Sequence, residues 1–129
     1  MSSSYTLKNL AEVTDSAPKS GLAEVQEAHF AKDELSAEGT GVSYHRLRAG
    51  KRQAFGHRHE NAEEIYVVLA GSGKVKLDGE ILPIEKLDAL RVAPQVIRGF
   101  EAGPDGLDLL AFGPRHDGDG EVLAGWWTD

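Results

Sequence analysis

The sequence contains no cysteine. Disulfides, thiolate zinc sites and cysteine nucleophiles are therefore excluded, and any metal must be held by histidine, carboxylate or water. Long apolar runs are missing too: nothing approaches the roughly eighteen residues that a membrane helix needs. The polar start MSSSYTLKNL has neither the basic region nor the apolar run of a signal peptide. A cytoplasmic protein with no membrane partner is expected. Positive charge is also in short supply, with 14 Lys and Arg against 21 Asp and Glu and a net charge of -7. The cations are scattered, so the chain offers no electrostatic footprint for nucleic acid.

What is present describes an ordinary folded chain. At 129 residues, 40% hydrophobic and 27% charged, it has the size and balance of one domain with a real core. One unit over 1–129 is expected. From residue 41 onward, short runs rich in Val, Ile, Leu and Tyr alternate with Gly, Pro and Asp, the spacing of an all-β sandwich or barrel. The expected strands are 42–48, 64–70, 73–78, 80–84, 89–93, 96–101 and 107–112.

Asp78-Gly79 between two such runs predicts a hairpin with a type I′ turn. Gly103-Pro104-Asp105-Gly106 predicts a second turn, and Pro83 belongs at an edge or strand end. In the first forty residues, Leu7, Leu10 and Val13 suit a helical turn or two. Val25 to Phe30 suits a strand, and the segment as a whole reads as an N-terminal strap. The tail 113–129 begins as loop and ends in Trp126-Trp127, a pair suited to capping a core or an interface. The run Glu64-Ile65-Tyr66-Val67-Val68-Leu69 is apolar on both faces, so the strap, a second sheet or a partner subunit is expected to cover the face of Ile65, Val67 and Leu69.

His57-Arg58-His59 is the chemically suggestive feature. In extended backbone, residues i and i+2 project to one side, so both imidazoles can converge on one cation. Glu64 opens the following apolar strand and can face the pair. Two imidazoles and one carboxylate suit Fe(II), and also Mn, Zn, Ni or Co; two solvated loop histidines beside acidic neighbours are the competing reading.

The stretch GKRQAFGHRHENAEEIYVVLAGSG resembles the first cupin motif, G-x5-H-x-H-x3,4-E-x6-G. Counting back from Gly71 selects Glu64 as its acid, and Gly50 stands one residue farther from His57 than the pattern asks. Residues 87–100 are similar to the second cupin motif in degenerate form. The resemblance covers about 41–112 and implies a double-stranded β-helix jelly roll, a barrel holding a divalent metal (Fe, Mn, Zn or Ni) and a small-molecule ligand, and a homodimer. It further implies an enzyme of dioxygenase, isomerase or decarboxylase type acting on a small polar or carboxylated substrate. A non-catalytic ligand-binding or sensing protein is the alternative.

One departure bears on the site. The second motif normally supplies a fourth, histidine ligand, and Arg98 occupies that position. A guanidinium has only donors and cannot ligate. Three arrangements follow. In the first, His57, His59 and Glu64 hold the metal with water while Arg98 grips an acidic substrate. In the second, His45 or His116 supplies the missing nitrogen. In the third, Arg98 pairs with Glu64 and the cavity is metal-free. Tyr66 and Phe100 share strand faces with Glu64 and Arg98 and are candidate pocket residues, as is Gln53 just before the histidine pair. His29 has no assigned role.

Overall fold

In the computed structural model, residues 4–114 and 119–128 are described. Eight strands form one antiparallel, strongly curled sheet: β1 (Gln26–Phe30), β2 (Thr40–Leu47), β3 (Gly56–His59), β4 (Glu64–Leu77), β5 (Glu80–Glu85), β6 (Ala89–Val92), β7 (Arg98–Pro114) and β8 (Gly120–Leu123). The only helical pieces among the described residues are 3-10 turns at Leu10–Glu12 and Pro18–Ser20.

Two long strands organise the sheet. The first part of β4 pairs with β6 and with the last part of β7, which in turn pairs with β2, and β2 with β1. The remainder of β4 pairs with β5 and with the start of β7; Arg98 there pairs with β3, and β3 with β8. Five-stranded halves β1-β2-β7-β4-β6 and β8-β3-β7-β4-β5 thus share β4 and β7. This is the curled jelly-roll arrangement expected from the sequence.

The crossing between halves explains two differences from expectation. Runs 64–70 and 73–78 form one strand, and Gly103-Pro104-Asp105-Gly106 does not separate two strands. Ala102 pairs with Gly73 and Leu107 with Gly71, so the GPDG residues loop out opposite Ser72 within a continuous β7. Gly71 has φ +76°, and a Cβ there would stand 2.0 Å from the Gly106 carbonyl oxygen. Only glycine permits that approach.

The 78–79 hairpin is present, with Leu77 opposite Glu80, but of the two turn residues only Asp78 has positive φ, at 53°. The turn is therefore not type I′, which needs both. Asp78 instead exchanges hydrogen bonds with Ile97, its N–H donating to the Ile97 carbonyl at 2.8 Å and its Oδ1 accepting the Ile97 N–H at 3.0 Å. Pro83 lies in β5, an edge strand, where its missing N–H costs no ladder bond.

The core gathers Leu47, Val68, Val75, Val92, Phe100, Leu107 and Leu109 with Tyr66. The strap is fastened to β1: Asp15 Oδ1 accepts the N–H of Ala28 at 2.9 Å, and the Ser16 N–H donates to the Ala28 carbonyl at 2.8 Å. His29, buried in β1, contacts the Val13 carbonyl through Nδ1 at 2.7 Å and Glu27 Oε1 through Nε2 at 2.9 Å. Trp127 is 2% exposed and caps the core beneath the Arg52 guanidinium, 4.6 Å from its ring centroid. Ile65 and Leu69 remain 42% and 37% exposed on the outer face of β4. No helix among the described residues is long and apolar enough to cross a membrane.

Candidate functional site

Strand alternation and register build the site together. Inward positions of a strand recur every second residue, and pairing sets them in rows. Phe30, Ser43, Ala111 and Tyr66 form one cross-strand row; Ala28, His45, Leu109 and Val68 form the next. Small side chains at Ala28, Ser43 and Ala111 leave room, and a cavity of about 550 Å³ opens over them. His57 and His59 reach it from β3, Glu64 and Tyr66 from β4, and Gly120 to Val122 wall it from β8.

At one end of the cavity three ligand-type atoms converge. His57 Nε2 lies 3.4 Å from Glu64 Oε1, and His59 Nε2 lies 3.3 Å from the same oxygen. The ligand atoms of the three residues all fall within 4.8 Å of one another, and they make up the one such group among the described residues. Ligands arranged tetrahedrally about 2.1 Å from one ion stand about 3.4 Å apart, so the spacing fits a divalent metal. A second observation points the same way: both ring nitrogens of His59 are buried without a hydrogen-bond partner. Unpaired buried polar atoms are costly, and a metal would satisfy Nε2.

The surroundings keep Glu64 an anion. Burial pushes its carboxyl pKa up, but contacts from His57, His59 and the Tyr66 hydroxyl outweigh burial and hold it well below the usual carboxylate range. Tyr66 donates to Glu64 Oε1 at 2.5 Å, and burial together with the Glu64 charge raises its own pKa well above 10. Tyr66 therefore stays a donor. Its ring packs on Phe100 at 4.9 Å between centroids; both aromatics also belong to the core.

Sequence reasoning missed one carboxylate. Asp119, just before β8, has a side chain only 3% exposed, and its Oδ2 lies 3.4 Å from His59 Nδ1. Its Oδ1 accepts the N–H groups of Glu60 and Asn61 at 3.1 and 2.8 Å, and Oδ2 accepts that of Ala62 at 3.0 Å. One side chain thus caps the loop between the histidines and Glu64 and backs His59 on the face away from Glu64, as carboxylates commonly do behind metal-bound histidine. The expectation of loop in the tail concealed it: β8 is a four-residue strand with two apolar residues, too short to signal itself.

Arg98 lies behind the site rather than on the cavity wall. It is 0% exposed and donates from its terminal nitrogens to the carbonyls of His57 (3.2 Å), Pro94 (3.4 Å) and Ala93 (3.1 Å). Its Nε approaches Glu64 Oε1 no closer than 3.9 Å and has no hydrogen-bond partner. The guanidinium is therefore committed to backbone, tying β3 to the segment before β7. Gln53 borders the cavity with its amide engaged: Oε1 accepts the Phe100 N–H at 3.0 Å, and Nε2 donates to Gln26 Oε1 at 2.7 Å. His45 also borders the cavity, outside the three-residue group, with Nε2 2.8 Å from Ser43 Oγ. Burial, with a smaller contribution from His57, lowers its pKa to about 4, so its imidazole is neutral at pH 7. His116 lies outside the described residues. A smaller cavity of about 310 Å³ shares Phe30, Ser43, His59, Glu64 and Ala111 with the first and adds Lys32 and Asp33.

A curled antiparallel barrel with an H-x-H pair and a glutamate converging inside it defines a small cupin-type domain, and comparison with solved structures agrees. A cupin protein from Bacteroides fragilis superposes with a TM-score of 0.70 at 28% identity, over 91% of this chain and 89% of that one. The salicylate 1,2-dioxygenase of Pseudaminobacter salicylatoxidans matches with a TM-score of 0.61 at 26% identity over 75% of this chain. This chain spans only 29% of that enzyme's length. A polyketide cyclase from Streptomyces resistomycificus shares the fold, with a TM-score of 0.74 at 16% identity over 96% of this chain and 87% of that one. No family profile matches the sequence, and no curated protein matches it.

Proposed function

We propose that the protein binds a divalent metal through His57, His59 and Glu64 and uses it to hold and polarise a small molecule in the adjoining cavity. The observation that carries this reading is the convergence of three ligand atoms within 4.8 Å on the wall of a 550 Å³ chamber, with neither His59 ring nitrogen in a hydrogen bond. Two imidazoles and a carboxylate suit Fe, Mn, Zn or Ni. Bound there, such an ion supplies Lewis acidity, and a redox-active one supplies electron transfer as well. Around it, the Tyr66 hydroxyl donates a hydrogen bond to Glu64 Oε1 and orients the carboxylate, Asp119 backs His59, and Arg98 fixes the carbonyl of His57. The salicylate dioxygenase has been crystallised in complex with gentisate, which supports a small organic ligand in this position.

The metal-free reading, with Arg98 paired to Glu64, rests on a 3.9 Å approach without a hydrogen bond and is the weaker of the two. Elemental analysis of untagged protein decides between them. Stoichiometric metal is expected in the wild type and none in the His57→Ala/His59→Ala double variant. Metal absent from both, even after reconstitution with Fe(II), Mn(II), Ni(II) and Zn(II), refutes the proposal. We also propose a homodimer that covers the exposed Ile65 and Leu69; sedimentation equilibrium of the wild type beside Ile65→Asp, with a monomeric wild type as the refuting result, tests it.

A further inference from the structure

The larger cavity has an uneven chemistry. Leu22, Phe55, Phe100, Leu109 and Val122 give it broad apolar walls, and among the described residues no Lys or Arg lines it. Its ionisable lining consists of Glu64, Glu121, Tyr66 and three histidines, of which His45 is neutral at pH 7. Lys32 lines the smaller cavity and not the larger one. The polar groups that do face the larger chamber are largely engaged with one another. Gln53 is bonded to Gln26 and to the Phe100 N–H, Tyr66 to Glu64, and His45 to Ser43.

Each of these facts sorts ligands. A phosphate or a second carboxylate would enter beside Glu64 and Glu121 with no Lys or Arg among the described lining residues to offset the lost hydration, and burying an unpaired charge is strongly unfavourable. A polyol would surrender its hydroxyl hydration to a wall whose donors and acceptors, away from Ser20 and the His57–His59–Glu64 end, are largely taken, leaving several groups unsatisfied. A flat apolar body, by contrast, gains area and ring contacts from Phe55, Phe100 and the aliphatic wall, and a chamber of this volume is ordinary for a ring-bearing molecule.

We infer that the chamber takes a predominantly apolar, ring-bearing molecule with a single oxygen donor directed at the His57–His59–Glu64 end, and that it rejects phosphorylated and polyhydroxylated molecules. This narrows the sequence expectation of a polar or carboxylated substrate. The oxygen-donor end rests on the metal reading above; the apolar selection does not.

Calorimetric titration of the full chain, once with chelator and once with one equivalent of Zn(II), tests it with three probes: 2-naphthol, 2-naphthyl phosphate and glucose. In the chelated protein 2-naphthol binds, 2-naphthyl phosphate binds at least tenfold more weakly, and glucose gives no heat; Zn(II) tightens 2-naphthol. Val122→Asp, at a 69% exposed wall position that tolerates substitution, weakens 2-naphthol several-fold. The inference is overturned if chelated protein binds the phosphate ester or glucose as tightly as 2-naphthol, if 2-naphthol fails to bind either form, or if Val122→Asp leaves its affinity unchanged. Binding of 2-naphthol to a protein that takes up no metal upholds the apolar selection and removes only the oxygen-donor end.

Discussion

His45 gives the fold a built-in sensitivity to acid whose size follows from its surroundings. Its ring sits between Ser43 and the edge of Phe30, 5.3 Å away between centroids, and burial lowers its pKa from 6.5 to about 4. Between those two values the unfolded chain carries a proton at this position that the folded chain does not. Stability is therefore full above about pH 6.5, falls as the pH drops through the window, and loses nothing further from this residue below pH 4. Two and a half units at about 1.4 kcal/mol each give roughly 3.5 kcal/mol. Because the ring borders the cavity and is only half-buried, a loss of about 2–3 kcal/mol is expected. The assay is urea unfolding of wild type and His45→Gln at pH 7 and pH 4.5, with chelator present throughout. Other titrating groups are common to both proteins and cancel in the comparison, so the stability gap between them should shift by about 2–3 kcal/mol against the wild type at the lower pH. Parallel pH dependences for the two proteins refute the assignment of a buried neutral imidazole.

Three other perturbations test the framework of the site. Asp119→Ala removes the acceptor of three backbone N–H groups and should cost about 1–2 kcal/mol in unfolding experiments. Asp119→Asn should keep most of that stability yet bind Zn(II) about 10–100-fold more weakly in a competition titration; unchanged affinity would mean the carboxylate only caps the loop. Arg98→Met removes one donor each from the carbonyls of His57, Pro94 and Ala93, although Pro94 keeps the His59 N–H and Ala93 the Val96 N–H, so a loss of about 1–3 kcal/mol is expected by thermal and urea unfolding, and a fully stable variant would contradict the pinning role. Gly71→Ala forces a Cβ to 2.0 Å from the Gly106 oxygen, whereas a Cβ at Gly79 meets nothing within 4 Å; the first should lower stability by ~3 kcal/mol or more and the second by under ~1 kcal/mol, and similar melting temperatures for the two variants would argue against the crossing geometry.

Much of this was legible in the residues because apolar alternation, glycine punctuation and the H-x-H spacing each report one local rule. Strands β2, β4, β5 and β6 follow from their Val, Ile and Leu patterns, and Glu64 follows from counting back from Gly71. What the sequence concealed depends on pairing between distant segments. β3 reads Gly-His-Arg-His, with no apolar residue to mark it, because its inward positions carry the candidate ligands. β8 and Asp119 acquire meaning only when β8 lies against β3, 63 residues separating Arg58 from its partner Glu121. Arg98 stands out in the sequence, but neither its burial nor its commitment to three carbonyls can be seen without knowing that β3 and the segment before β7 run side by side.

The pairing of β3 with β8 also bears on the order of synthesis. A chain made from its N-terminus completes both histidines and Glu64 early, yet His59 lacks its carboxylate backing, and β3 its neighbour on that edge, until residues 119–123 exist. A growing chain therefore carries the three candidate ligands before it carries the wall that aims them. Metal capture in the arrangement proposed above would be a late event in the making of the protein, available only once the strand that closes the site has been built.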